Sequence, residues 1–151
     1  EQREMNDNNV KLQAIGQTGR LPEFVRDQLE TTKASLSQNT GTTLTLALSY
    51  GGRTELVDAV RGIAEKARDG EIDPGSISEQ TISDHLYTSE MPDPDLLIRT
   101  SGEMRVSNFL LWQISYAELV VTDRLWPDFG EPEFCATLEE FAGRNRRFGK
   151  V

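Results

Sequence analysis

One stretch of the sequence, residues 95–108, concentrates side chains that bind anions. Arg99 and Arg105 are six positions apart, and Ser107 follows two positions later. A guanidinium group binds phosphate oxygens through parallel hydrogen bonds, and a serine hydroxyl adds another. Gly102 lies between the arginines and permits a tight turn with close backbone approach to a ligand. These residue types at this spacing predict a site for a diphosphate group.

The elements predicted around this stretch would bring its polar groups together. Residues 95–100 are typical of a strand, so Arg99 falls at the C-terminal end of that strand, where open α/β sheets bind ligands. Residues 108–116 are dense in large apolar side chains and predict a buried helix, with Ser107 positioned to cap it. The amides at that helix terminus would then add to the anion site.

The same residues also have an ordinary structural interpretation. Arg99 and Arg105 could form surface salt bridges, and Ser107 could be no more than a helix cap. Against this, three or four charge-assisted hydrogen bonds of about 1.5–3 kcal/mol each could support micromolar binding after the costs of association. This stretch alone leaves both interpretations open.

The bulk properties of the chain exclude several classes of function. A net charge of −9 over 151 residues argues against broad nucleic-acid binding, which needs a basic surface. No apolar run approaches the roughly 20 residues of a membrane span. The single cysteine, Cys135, and the single histidine exclude an intramolecular disulfide and the usual zinc sites. These features predict a cytoplasmic protein in which a few well-placed arginines bind anions.

Strand and helix patterns alternate along the chain. Strands are predicted over residues 10–16, 42–50, 95–100 and 117–122, and helices over 21–36, 56–67, 108–116, after Ser78 and from about Pro132. This alternation is typical of an α/β fold with a mostly parallel open sheet and helices on both faces. We predict one α/β domain over residues 1–151. Because residues 1–5 read as the tail of a helix, we expect a truncated chain.

A longer segment resembles a known family. Residues 95–129, DLLIRTSGEMRVSNFLLWQISYAELVVTDRLWPDF, resemble the signature of cis-prenyltransferases of the bacterial undecaprenyl diphosphate synthase type. The segments NNVKLQAIG, LTLALSYGGR and RRFG resemble the same family in the same order. The resemblance spans essentially the whole chain. It implies the C-terminal two-thirds of a cis-prenyltransferase domain, with the sheet incomplete here.

The resemblance assigns roles to the anion-binding stretch. Arg99, Arg105 and Ser107 match the family's R-x5-R-x-S motif, which implies that they grip the diphosphate of isopentenyl diphosphate. Val106 lies within this motif and would contribute its backbone amide. One departure from the family stands upstream, where Ser49 occupies a position at which asparagine is common.

Three further residues take roles from the resemblance. Glu118 matches an acidic residue associated with Mg²⁺, although it could instead be a solvated glutamate. Arg147 and Gly149 match an R-x-G motif that implies contact with the partner's substrate phosphates across a homodimer. The alternative for this tail is a basic helix terminus that interacts favourably with the helix dipole. We expect the dimer to form through the apolar residues of 109–126.

The resemblance implies an Mg-dependent enzyme. It would add isopentenyl diphosphate units in cis configuration to an allylic prenyl diphosphate such as farnesyl diphosphate, giving polyprenyl, and by resemblance undecaprenyl, diphosphate for the cell-wall lipid carrier. The product would partition into the membrane, so the protein would be cytoplasmic or peripheral at the membrane. The alternative is a non-catalytic partner subunit, but such partners generally lose the R-x5-R-x-S motif, which is complete here.

One part of the family pattern has no counterpart in this sequence. The family's first phosphate-binding segment, with its essential aspartate, matches none of the 151 residues. We therefore expect no catalytic residue within this chain and no activity from residues 1–151 alone. A generic nucleotide-binding module is disfavoured because the sequence has no Gly-rich phosphate loop.

Overall fold

The computed structural model describes residues 1–144, which form two compact units. The first unit is Glu1–Glu90 and the second begins at Met91. Within residues 1–144, each unit contains one pair of parallel strands, and each pair forms a two-stranded sheet. The combination of parallel strands and helices along the described chain confirms the predicted α/β class. A single domain over residues 1–151 stays a prediction.

The first unit is built on a helix that crosses between two parallel strands. Helix α1 (Gln2–Asp7) precedes β1 (Lys11–Ile15), and α2 (Glu23–Ser35) leads to β2 (Thr43–Ala47). A crossover of this kind is what a parallel pair requires. The core under these elements contains Leu12, Leu29 and Leu36, with Met5, Ala14, Leu21, Leu46 and Leu48 packed against it.

Two further helices complete the first unit. Helix α3 (Gly52–Arg68) packs against the short α4 (Glu79–Ser83). The predicted cap of α4 is confirmed, because the Ser78 hydroxyl accepts a hydrogen bond from the amide of Thr81 at 3.3 Å in a capping box. The helix predicted over residues 56–67 is confirmed within α3, and Ile63 of its apolar stripe is buried. Two other residues of that stripe, Val57 and Val60, are exposed.

The second unit carries the arginine stretch. Strand β3 (Leu96–Arg99) pairs in parallel with β4 (Glu118–Val121), and α5 (Glu131–Ala142) packs against β4. Val120 of β4 is buried, as is Thr137 of α5. None of the helices within residues 1–144 combines the length and the apolar character needed to traverse a bilayer.

The predicted helix over residues 108–116 is wrong. These residues form successive turns, and the backbone enters the left-handed region at Ser107, Asn108 and Leu110, with φ of 47°, 64° and 47°. A right-handed helix cannot begin through this conformation, which costs non-glycine residues roughly 1–2 kcal/mol each. The predicted burial is also wrong at Tyr116, which is exposed.

Candidate functional site

The arginine stretch lies on a turn that continues the β3–β4 strand pair. Arg99 ends β3, and its carbonyl accepts a hydrogen bond from the amide of Thr122 at 2.9 Å. Beyond it, the amides of Ser101 and Gly102 donate to the carbonyls of Arg124 (2.8 Å) and Thr122 (2.9 Å). The prediction that Arg99 falls at the C-terminal end of its strand is therefore confirmed, and backbone hydrogen bonds hold the turn that follows.

Glycine is required at the centre of this turn for two reasons. Gly102 has φ of +67°, a left-handed conformation that favours glycine. A Cβ atom at this position would lie 2.8 Å from Oδ1 of Asp123. The left-handed conformation is the stronger of the two reasons, because the Asp123 carboxylate ends a flexible side chain that can move.

The two arginines converge on a residue that sequence analysis missed, Glu103. Nη2 of Arg99 donates to Oε2 of Glu103, and Nη2 of Arg105 lies 2.6 Å from Oε1 of the same carboxylate. Hydrogen bonds from Arg99 and then from Arg105 hold the pKa of Glu103 below its usual range. The site is thus a carboxylate held between two guanidinium groups, and the salt-bridge interpretation of the arginines is realised within the predicted anion site.

The two arginines differ in environment. The Arg99 side chain is about one-third exposed (32%), whereas that of Arg105 is 63% exposed. Nε of Arg99 is buried and has no hydrogen-bond partner in the described part of the chain. An unsatisfied donor of this kind costs roughly 1–3 kcal/mol. The accessible donors of Arg99 are therefore on the outer part of its guanidinium group, where Nη2 contacts Glu103.

The remaining residues of the motif adopt a different geometry from that predicted. Ser107 does not cap a helix, because no helix follows it and its own φ is 47°. The carbonyl of Val106 accepts a hydrogen bond from the amide of Phe109 at 3.0 Å, which closes a turn. The helix-terminal amides predicted to join the site are therefore absent from it. The diphosphate contacts proposed for Val106 and Ser107 stay predictions.

Glu118, the predicted metal ligand, lies at the other end of the strand pair. It begins β4 opposite Leu96, whereas Arg99 is opposite Val121. Three residue steps separate the two ends, or about 10 Å along the strands. Oε2 of Glu118 accepts a hydrogen bond from Nη1 of Arg144 at 2.9 Å. The carboxylate therefore has a cationic partner, and the register does not bring it to the arginine pair.

The described residues do not by themselves form a magnesium site. Across residues 1–144, no group of three or more His, Cys, Asp or Glu side chains is arranged to hold a metal ion. The predicted ligand Glu118 is paired with Arg144, which also contacts Glu140 at 2.5 Å. Arg147 and Gly149, predicted to contact substrate phosphates, lie outside the described residues.

A buried polar network in the first unit was also missed by sequence analysis. Glu55 is only 1% exposed, and its carboxylate accepts hydrogen bonds from Oη of Tyr50 (2.5 Å) and the amide of Tyr87 (3.0 Å). Oη of Tyr87 donates to Asp58, and Nε2 of Gln17 donates to Asp58 at 3.1 Å. Burial, with the hydrogen bond to Asp58, raises the pKa of Tyr87 to about 12. The i,i+3 spacing of the two acids on α3 was the available signal.

The chain is similar in sequence to a known protein family. The family model described as putative undecaprenyl diphosphate synthase matches residues 1–149. An isoprenyl transferase of Porphyromonas gingivalis is 53% identical over 144 residues, covering 95% of this chain and 57% of that protein. An isoprenyl transferase of Heliobacterium mobile is 48% identical over 147 residues, covering 97% of this chain and 56% of that protein. The chain thus spans less than two-thirds of the length of these relatives.

Solved structures with a similar fold include two that are described as diphosphate synthases. Lavandulyl diphosphate synthase from Lavandula x intermedia, in complex with dimethylallyl diphosphate, gives a TM-score of 0.95 at 38% sequence identity, covering 99% of this chain and 64% of that one. A probable undecaprenyl diphosphate synthase from Campylobacter jejuni gives a TM-score of 0.84 at 33% identity, covering 99% and 67% respectively.

Proposed function

The chain belongs to the undecaprenyl diphosphate synthase family, and from this premise we propose that it takes part in cis-prenyl transfer by binding isopentenyl diphosphate. In the proposed reaction, the carbon–oxygen bond of an allylic diphosphate such as farnesyl diphosphate breaks and diphosphate leaves. The double bond of isopentenyl diphosphate forms the new carbon–carbon bond. Loss of a proton from the isopentenyl unit then leaves a double bond in cis configuration.

The observation that carries this proposal is the convergence of Arg99 and Arg105 on one carboxylate. Two guanidinium groups that hold the two oxygens of Glu103 are spaced to hold two oxygens of a diphosphate. Each such contact is worth roughly 1.5–3 kcal/mol. Neutralising the diphosphate and fixing its position would orient the double bond towards the allylic carbon, which is the main task of a protein in this chemistry.

A magnesium ion is a separate proposal, and no step above depends on it. Mg²⁺ is usually bound by one or two carboxylates together with substrate phosphates, and when bound it would neutralise the leaving diphosphate. The described residues do not fit the ion unaided, because Glu118 is paired with Arg144. Glu118 would have to act with acids from elsewhere in the assembled enzyme.

We also propose that the protein works as a homodimer. Support comes from large apolar side chains that are exposed in the second unit, which is unusual for a surface without a partner. Within residues 109–126 these exposed residues are Phe109, Tyr116, Leu119, Leu125 and Trp126. In this proposal the tail containing Arg147 and Gly149 serves the neighbouring chain, and the polyprenyl product, undecaprenyl diphosphate for the cell-wall lipid carrier, passes to the membrane.

The test is incorporation of labelled isopentenyl diphosphate into farnesyl diphosphate by the full-length protein, with product length read by chromatography. Turnover to cis-polyprenyl diphosphate supports the proposal. A protein without turnover that instead raises the activity of another chain would be a non-catalytic partner subunit. Residues 1–151 alone, assayed in parallel, are expected to be inactive because the reaction requires two diphosphates to be held together and the arginine pair holds one.

A further inference from the structure

The arginine pair is already occupied by an anion that belongs to the chain. The two oxygens of Glu103 each engage a different guanidinium group, from Arg99 and from Arg105. The Glu103 side chain is one-third exposed (34%), so it is held at the rim of the site and not in the core. Glu103 follows Gly102, whose left-handed conformation turns the chain so that the acid lies between the two bases.

A diphosphate and the Glu103 carboxylate cannot share these donors without a penalty. Both are anions, and two anions within about 4 Å repel each other while they compete for the same N–H groups. Binding of a diphosphate therefore requires the carboxylate to leave the arginine pair. Its exposure gives it a route into solvent, because the side chain is not enclosed by the core.

We propose that Glu103 is a placeholder: its carboxylate occupies the Arg99–Arg105 pair until a diphosphate displaces it. This competition favours diphosphates over anions that contact only one of the two guanidinium groups. The inference rests on the proposed function and names the residue that sets its ligand class. An anion that engages one guanidinium gains little over the internal carboxylate. A diphosphate carries more charge and can contact both guanidinium groups.

A purely structural role for Glu103 predicts the opposite change in anion affinity when its carboxylate is removed. If the carboxylate only held the arginines in their binding positions, its removal would loosen them and weaken anion binding. If it is a placeholder, its removal frees the arginines and strengthens anion binding. Glu103→Gln preserves the shape and removes the charge, so the direction of the change in affinity separates the two roles.

The experiment is calorimetric titration of the full-length protein with inorganic pyrophosphate and, separately, with inorganic phosphate. For Glu103→Gln we expect pyrophosphate to bind about tenfold more tightly and phosphate to gain at least as much, because a competing charged partner has been removed. Glu103→Ala should change affinity in the same direction. Glu30→Gln is the matched control, since it removes an acid paired with Lys33 on an exposed helix surface.

A double-mutant cycle assigns any gain to this site. In an Arg99→Ala background, Glu103→Gln should give less than half of its gain, because one partner of the carboxylate is absent. Unchanged or weaker pyrophosphate binding by both Glu103 variants overturns the placeholder role. Pyrophosphate binding that is lost in Arg99→Ala but unaltered by Glu103→Gln overturns this inference alone. No dependence of pyrophosphate binding on Arg99 overturns the proposed function as well.

Discussion

Arg99 and Glu118 lie at opposite ends of one parallel strand pair. Arg99 is opposite Val121 at the C-terminal end, and Glu118 is opposite Leu96 at the N-terminal end. The backbones of Arg99 and Glu118 are therefore about 10 Å apart along the strands. The Glu118 carboxylate is paired with Arg144 and the Arg99 guanidinium with Glu103, so the two side chains have different ionic partners.

Replacement of the arginines should chiefly raise the KM for isopentenyl diphosphate. Arg99→Ala and Arg105→Ala each remove a charge-assisted contact worth roughly 2 kcal/mol, or about 30-fold. The effect of Arg99→Ala should be the larger, because Arg99 is the less exposed of the two. Arg68→Ala, which removes an exposed arginine paired with Asp69, is the control. Unchanged steady-state kinetics in both variants would reject the site.

Glu118 and Arg144 should respond differently if Glu118 binds magnesium. Glu118→Gln removes the charge that a hard cation needs, so activity should fall and recover in part at high Mg²⁺. Arg144→Gln leaves that charge in place and releases it from its ion pair, so its Mg²⁺ requirement should not rise. Magnesium titrations of activity measure both. Equal losses of thermal stability with no change in Mg²⁺ dependence would mean that Glu118 serves only as the partner of Arg144.

Mixed dimers test the proposed exchange of tails. The test uses a dimer of one Arg147→Ala chain and one Arg99→Ala chain. If each site combines Arg99 of one chain with Arg147 of the other, one of the two sites in this dimer remains intact. About half the activity should then survive, as measured on purified heterodimers carrying two different affinity tags. If each chain uses its own tail, both sites are damaged and activity should nearly vanish.

Substitution of Gly102 should destabilise the arginine turn. Gly102→Ala places a Cβ 2.8 Å from Oδ1 of Asp123 and forces alanine into φ of +67°. The left-handed conformation alone costs roughly 1–2 kcal/mol, which thermal unfolding can detect. In the double variant with Asp123→Ala, the clash is removed and the backbone strain remains, so only part of the stability should return. Full recovery would show that φ does not constrain this position.

Acidification should reveal the contribution of Asp58. Hydrogen bonds from Tyr87 and then from Gln17 lower the pKa of this carboxyl below its ordinary 3.8. Stability from a group with a lowered pKa is complete above the unfolded value and is lost as pH falls through the folded value. The difference in Tm between the parent and Asp58→Asn should therefore shrink below about pH 4. A difference that stays constant from pH 7 to pH 3 would contradict this.

The sequence predicted the structure correctly where apolar runs and turn residues determine the backbone conformation. The four strands and the position of Arg99 at a strand end followed from apolar runs bounded by turn residues. The Ser78 cap followed from local side-chain chemistry. The helix predicted over residues 108–116 was wrong because apolar density carries no information on φ. Left-handed residues at Asn108 and Leu110, preceded by one at Ser107, prevent a helix.

The electrostatic partners in the site were harder to predict. Glu103 was not predicted because the sequence pattern of an anion site consists of basic residues and hydroxyl groups. In the structure, an acid that neutralises both arginines is also part of this site. The Glu118–Arg144 pair joins residues 26 positions apart, a distance over which the sequence gives no local signal. Ser49 is informative in retrospect, since its φ of 47° is a conformation that asparagine tolerates well.

The turn after β3 is fastened by main-chain hydrogen bonds, from Ser101 to Arg124 and from Gly102 to Thr122. The donors of these bonds are backbone amides, which every amino acid except proline has. Side chains along the segment that leaves β4 can therefore diverge without moving the arginines. Substitutions in that segment would then alter the surroundings of the Arg99–Arg105 pair while the backbone that carries Arg99 keeps its position.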